Sequence, residues 1–339
     1  MSDLAGIVRR DDALFGQHVG VGLGVDFAAQ NLLGTLHDQG SDLFPQRLSG
    51  PKDFLIDLRF RTGYDAVAFG LGVAFRLVYD RYIPDWRQDS FSLRYALGIP
   101  LEAIRQAHQQ AKQRLIEEVN RGVNAGFDQD VFTLSFARRA TGYKRPDLLF
   151  HDPAWLRRLA QRYGSLQLVF AGKAHPKDEH GKALIGQIIR QGKALGPEVK
   201  LVYLPNYDVE LAQLLTAGVD VWLNTPLPPY EASGTSGMKA SHNGVPNLSV
   251  LDGWWLEGHV EGVTGWAIGS RDDDTGSGQH DAADARSLYQ KLEEVILPLY
   301  SNEPRRWAEL MRYTIALSAS FFNTQRMLTE YVVYAYQDR

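Results

Sequence analysis

Residues 166–224 read LQLVFAGKAHPKDEHGKALIGQIIRQGKALGPEVKLVYLPNYDVELAQLLTAGVDVWLN, and the fold class is decided there. LQLVFA, VKLVYL and VDVWLN are short, nearly continuous apolar runs rich in β-branched and aromatic residues. A strand reads that way when helices cover both faces of its sheet. The intervening HGKALIGQIIRQGKALG places Leu184, Ile185, Ile188 and Ile189 on one helical face, and DVELAQLLTAG has the same helical character. Strand and helix thus alternate through short loops. That alternation predicts an α/β fold with a doubly wound, parallel, Rossmann-like sheet and right-handed crossovers.

The same grammar extends outward. VFTLSF (131–136) is expected to be a buried strand. PAWLRRLAQRY (153–163) is expected to be a helix, with Trp155, Leu156, Leu159 and Tyr163 at helical spacing. The chain reads as helical from Ala282, with Pro298 and Pro304 as punctuation, and again from about Leu101 to Asn120. Toward the N-terminus, HVGVGLGVDF (18–27) and AVAFGLGVAF (66–75) are apolar and glycine-rich without a period. Residues 1–75 are left unassigned. Residues 76–127 are read as a remnant of an N-terminal domain plus a linking helix, and 128–339 as the Rossmann-like domain with its C-terminal helices.

Composition excludes several classes. The chain has 339 residues, 44% hydrophobic and 22% charged, with a formal net charge of −4. Its cations are interspersed with acids, which gives no nucleic-acid-binding face. It has no cysteine, so disulfides and thiolate metal sites are excluded, and no His/Asp/Glu set has metal-ligand spacing. No apolar run is long enough to span a bilayer, and the first residues lack a signal-peptide pattern, so the expected location is the cytoplasm.

Two segments carry the candidate chemistry. EASGTSGMKASHN (231–243) follows the VDVWLN strand and a PLPP turn, then opens a helix. A loop of that kind points backbone N–H groups and the hydroxyls of Ser233, Thr235 and Ser236 at an anion, with Gly234 and Gly237 allowing close approach. Lys239 just beyond could hold a phosphate or form a Schiff base. An ordinary turn with a capping serine and a solvated lysine explains the same residues. FARRATGYKR (136–145) follows the VFTLSF strand and gathers Arg138, Arg139, Lys144 and Arg145 where open α/β sheets bind ligands. Four cations there suit a dianion, and a solvated basic turn is the alternative. Gly172-Lys173-Ala174-His175, also after a strand, and Asn206-Tyr207-Asp208 are weaker signals, since a lone histidine such as His175 is more often structural.

At these residues the chain resembles the α-glucan (glycogen/starch/maltodextrin) phosphorylases, most closely the short bacterial and archaeal branch. YEASGTSGMKASHNGVPNLSVLDGWWLEG (230–258) is similar to that family's pyridoxal phosphate segment, and FARRATGYKR to its phosphate-binding segment. DRYIPDWRQDSFSLRYALGIP, AGKAHP, LPNYDVELA, GWAIG and FFNTQRMLTEYV also match in family order, covering about Val78 to Arg339. The resemblance implies a glycosyltransferase-B-like architecture with only the C-terminal of two domains complete. It implies that Lys239 carries pyridoxal 5′-phosphate. Thr235, Ser236 and Lys144 would hold the cofactor phosphate, with Tyr207 packed on the cofactor and Arg138 in a neighbouring basic position. Arg139 would bind the substrate phosphate, and Glu231, Ala232, Ser233 and Gly234 the reacting glucosyl unit. Arg139, Lys144 and Glu231 are therefore the implied catalytic set. The implied reaction is phosphorolysis of α-1,4-glucan or maltodextrin by inorganic phosphate, giving glucose 1-phosphate with retained configuration. No nucleic acid or membrane partner is implied, and a homo-oligomer is compatible with it.

The match departs from the family in one region. The family's Gly-rich loop over the phosphate comes from the N-terminal domain, and HVGVGLG does not match it well. Where the family has Asn-Gly-Val-His, this chain has Thr62-Gly63-Tyr64-Asp65. A shortened phosphorylase with little or no turnover is therefore expected. A nucleotide-sugar glucosyltransferase and a non-catalytic cofactor- or glucan-binding remnant are the rival readings.

Overall fold

A computed structural model describes residues 70–269 and 277–336. Of the unassigned segment 1–75, residues 1–69, including HVGVGLGVDF and Thr62–Asp65, lie outside the described residues.

Six strands form one all-parallel sheet: β1 (Thr133–Ala137), β2 (Leu166–Ala171), β3 (Val199–Leu204), β4 (Val221–Asn224), β5 (Asn247–Val250) and β6 (Gly265–Ile268). Their order is β3-β2-β1-β4-β5-β6. The chain therefore starts in the middle, winds to one edge, returns and winds to the other. That leaves a topological switch between β1 and β4, where Leu134 pairs with Val221 and Ser135 with Trp222.

Helices pack as the periodicity demands. They are α1 (Val73–Tyr82), α2 (Leu101–Val123), α3 (Pro153–Tyr163), α4 (Glu179–Ala194) and α5 (Val209–Gly218). Short α6 (Thr235–Ser241) and α7 (Trp255–Gly258) precede α8 (Ser277–Lys291), α9 (Leu297–Asn302), α10 (Pro304–Tyr313) and α11 (Thr324–Glu330). Side-chain caps start several of them. Asp152 accepts from Trp155 N with Pro153 at the first helical position, and Asp178 and Asp208 cap α4 and α5. One wider turn, Leu292–Ile296, lies just before Pro298, and another, Thr314–Ala319, extends α10.

The strands show why their sequences are continuously apolar. Along β2, Leu166, Leu168 and Phe170 enter one core, while Val169 and Ala171 enter the other. The first core joins them to Leu134, Phe136, Leu223 and Trp266. The second joins Trp222 to Leu115, Val119 and Leu215 from α2 and α5. Fully burying one such large side chain stabilises the fold by about 1.5–3 kcal/mol. α1 also belongs to the first core through buried Phe75 and Tyr79. Tyr79 Oη donates to His242 O at 2.6 Å, which ties α1 to the end of α6.

β5 and β6 were not among the strands expected from apolar runs. Each is only four residues long, and Asn247, Ser249 and Gly265 interrupt the pattern. At Gly265 a Cβ would lie 2.0 Å from Asn247 O, so the pairing of β6 with β5 requires glycine there.

Candidate functional site

Two loops and the end of a strand meet at the carboxyl ends of β1 and β4, on the switch point. Residues after β1 supply Arg138, Arg139 and Lys144, the end of β4 supplies Asn224, and the loop from β4 to α6 supplies Glu231. Glu231 is the hub. Its Oε2 accepts from Lys144 Nζ at 2.5 Å and from Arg138 Nη1 at 2.6 Å. Arg138 also donates to Asn224 Oδ1. Burial pushes the Glu231 carboxyl up, but hydrogen bonds and charge from Arg138, then Lys144, hold it below the usual carboxylate range. Lys144 and Glu231 are both buried.

Glu231 is fixed from behind by a residue that the motif analysis passed over. Asp252 Oδ2 accepts the Glu231 backbone N–H at 2.8 Å, and its Oδ1 accepts from Gly253 N. Trp254 N donates to Ser233 O at 2.9 Å, so the Asp252–Trp254 turn clips the whole Glu231–Gly234 loop in place. Burial raises the Asp252 pKa, partly offset by the two backbone bonds. Asn224 could have been read from its place at a strand's carboxyl end, whereas Asp252 meets Glu231 only through tertiary structure.

The loop enters α6 through Gly234 at φ +89°, a left-handed conformation that favours glycine. One turn on, a Cβ at Gly237 would lie 2.5 Å from Asn247 Oδ1 and 3.0 Å from Trp254 Nε1, so α6 approaches the sheet closely there. Ala232 and Thr235 are exposed, with Ser233 and Ser236 half-buried. Neither the Thr235 nor the Ser236 hydroxyl is committed to another group among the described residues.

Lys239 lies on α6 with its stem against the Gly70 backbone, whose Cβ position is 2.7 Å from Lys239 Cβ and Cγ. Its amine has no carboxylate partner among the described residues, and burial alone lowers its pKa. A desolvated lysine with no carboxylate partner among the described residues is what imine chemistry with an aldehyde needs. Tyr207 is half-buried; burial raises its pKa, and the Arg138 charge opposes that shift.

The four-cation cluster divides. Arg138 and Lys144 converge on Glu231. Arg139 is exposed and forms no ion pair among the described residues. Arg145 takes φ +44° and is used structurally: it donates to the Thr225 and Pro226 carbonyls, to Asp281 at 2.7 Å and to Asp284 at 2.6 Å. No group of three metal-ligand side chains occurs among the described residues, and none of their helices is long and apolar enough to cross a membrane.

Residues 100–296 match the family model described as carbohydrate phosphorylase. The chain is 40% identical over 259 residues to a glycogen phosphorylase of Aquifex aeolicus, covering 69% of this chain and 37% of that protein. It is 38% identical over 270 residues to a maltodextrin phosphorylase of Thermococcus litoralis, covering 75% of this chain and 32% of the relative. A glycogen phosphorylase of Mycobacterium tuberculosis is 40% identical over 220 residues, covering 63% and 25%. The chain thus spans about a third of the length of these relatives.

Proposed function

Because the chain belongs to the carbohydrate phosphorylase family, we propose that it forms the cofactor- and phosphate-binding half of an α-glucan phosphorylase site. The proposed substrates are an α-1,4-glucan such as maltodextrin and inorganic phosphate, and the product is glucose 1-phosphate. One observation carries the reading: two buried cations share a single carboxylate oxygen at the switch point, and the helix that the same loop enters carries a desolvated lysine with no carboxylate partner among the described residues. A carboxylate clasped by Arg138 and Lys144 is a stand-in for a phosphate oxygen.

The residues fit pyridoxal phosphate. Lys239 would hold it through the amine, the Thr235 and Ser236 hydroxyls with Lys144 and Arg138 would hold its phosphate, and Tyr207 would pack on it. Bound there, the cofactor supplies a second phosphate able to exchange a proton with the substrate phosphate.

The protein's own groups then have distinct work. Arg138 and Lys144 offset the repulsion between two phosphates, with charge-assisted bonds that are strong in a water-poor site. Exposed Arg139 is placed for the incoming substrate phosphate. Once phosphate takes the cations, Glu231 is released and its oxygens accept sugar hydroxyls, with Ala232, Ser233 and Gly234 lining the same loop. Asp252 keeps that loop at its register throughout. We propose further that residues 128–339 are the phosphate-side domain, that 76–127 derive from the opposite domain and its linker, and that the chain works in the cytoplasm.

Incubation with pyridoxal phosphate, borohydride reduction and peptide mapping should place one pyridoxyl group on Lys239. Labelling elsewhere, at Lys144 or a surface lysine, or no labelling, would reject the assignment.

A further inference from the structure

The loops that carry Lys144 and Glu231 are stitched together, residue against residue. Tyr143, Lys144 and Arg145 after β1 face Thr225, Pro226 and Leu227 after β4. Tyr143 O accepts from Leu227 N at 2.7 Å. Lys144 O and Arg145 O both accept from Thr225 Oγ1, each at 2.9 Å. A hydroxyl has one proton, so the two carbonyls share it. In the other direction, Arg145 Nε donates to Thr225 O at 3.0 Å and Nη2 to Pro226 O at 2.9 Å.

The seam is dry and anchored. Lys144, Arg145 and Thr225 are buried, so a bond lost there leaves a polar group unpaired. Arg145 also reaches Asp284 at 2.6 Å and Asp281 at 2.7 Å, which balances its charge and ties the seam to α8. Its φ of +44° is a left-handed conformation, costly for a residue with a Cβ. Such a conformation persists only where surrounding contacts over-determine it.

What the seam controls is convergence at the hub. Arg138 directly follows β1 and its N–H donates to Ala171 O at 3.0 Å, so the sheet fixes its backbone. Lys144 lies six residues further on, in the loop. Its ammonium meets the same Glu231 oxygen as Arg138 only while its loop keeps register with the loop that leads to Glu231. A shift of about 1 Å would take the 2.5 Å Lys144 contact out of the ordinary hydrogen-bond range. Thr225 bonds the Lys144 backbone itself, and Leu227 stands four residues before Glu231.

We propose that Thr225 and Arg145 are positioning residues: through the seam they hold Lys144 convergent with Arg138, and so set the affinity of the carboxyl edge for a phosphate-like dianion. The proposal rests on the phosphate reading of that edge. The test is calorimetric titration of the full chain with sulfate at pH 7.5. Thr225→Val keeps the branch at Cβ, removes the hydroxyl and should weaken sulfate about tenfold, whereas Thr225→Ser should stay within about twofold of the wild type. Asp220→Asn, which loosens the fold at the amino edge, should leave sulfate affinity unchanged, and this separates positioning from general loss of stability. Reciprocity supplies a measurement that needs no variant. If the seam strengthens sulfate, saturating sulfate strengthens the seam and slows hydrogen exchange at the Leu227 amide. No saturable binding, or binding that Lys144→Ala fails to weaken, overturns the phosphate reading and the proposal with it. Binding that needs Lys144 overturns the proposal alone in three cases: it survives Thr225→Val, falls equally in Thr225→Ser or Asp220→Asn, or leaves Leu227 exchange unchanged.

Discussion

Glu231 gives one oxygen to two cations, and this makes it a competitor for any anion that those cations bind. Removing its charge should therefore help the anion and harm the sugar. A hydrogen bond to a charged group contributes about 1.5–3 kcal/mol. Glu231→Gln is expected to tighten sulfate binding by about tenfold while weakening glucose, and calorimetry with each ligand reads both effects. Looser sulfate binding would mean that Glu231 builds the anion site instead of blocking it. Arg139→Ala should weaken phosphate by about tenfold or more with the melting curve unchanged, because Arg139 is exposed and has no ion pair to lose among the described residues. The same pairing gives a pH signature. The Glu231 pKa lies below its unfolded value, so its contribution to stability is complete above the unfolded pKa and lost as pH falls through the folded one. Lys239 has the opposite character: burial lowers its pKa, so it opposes folding at low pH and ceases to do so once pH passes its unfolded value. Lys239 should accordingly react with pyridoxal phosphate at a lower pH than an exposed lysine, a shift visible in the pH dependence of the absorbance change.

Between elements, the sharpest dependence is where β4 begins. Asp220 is buried and holds three groups at once: Lys112, His108 and the Thr133 N–H at 2.7 Å. It thereby pins α2 to the amino ends of β1 and β4. Removing one partner of a buried pair leaves an uncompensated charge and costs about 3–5 kcal/mol. Asp220→Asn should lower the denaturant midpoint accordingly, and Lys112→Met in the same chain should recover part of the loss. A midpoint unchanged by Asp220→Asn would mean that water already screens Lys112. This pin also shows what a sequence conceals. The apolar runs of β1 to β4 and the spacing of α3 to α5 were legible because burial on both faces leaves a local imprint. The four residues of β5 and of β6 carry too few apolar positions for that. Of the site, the two loops and Lys239 could be read from glycine, hydroxyl and basic residues at strand ends. The sharing of Glu231 by Arg138 and Lys144, the diversion of Arg145 to Asp281 and Asp284, and the Asp252 clip depend on contacts between segments up to 139 residues apart, which no local pattern encodes.

For the molecule as a whole, binding and turnover make different demands. The proposed anion and cofactor contacts at the carboxyl edge come from the segments after β1 and β3, the end of β4, the loop after it and α6, all among the described residues. Phosphorolysis needs more: glucan and phosphate must be held in near-attack geometry, where misplacement by about 1 Å can cost roughly a hundredfold. Among the described residues the crevice has one wall. Ala232, Thr235 and Arg139 are exposed there, so water reaches the groups that would face the sugar and the substrate phosphate. Solvent at those contacts weakens each electrostatic term that a closed site would strengthen. The purified chain should therefore take up pyridoxal phosphate at Lys239 yet release glucose 1-phosphate from maltodextrin at least about a hundredfold more slowly than when a second wall is supplied. That wall can be provided as the N-terminal half of the Aquifex aeolicus glycogen phosphorylase, added in trans. The measurement is phosphate-dependent glucose 1-phosphate production with and without the added half, alongside a Lys239→Ala control. Stimulation that disappears in Lys239→Ala would place the reaction at the carboxyl edge described here. Full turnover by the chain alone would mean that residues 1–69 close the crevice themselves, and the shortened-enzyme expectation would be wrong.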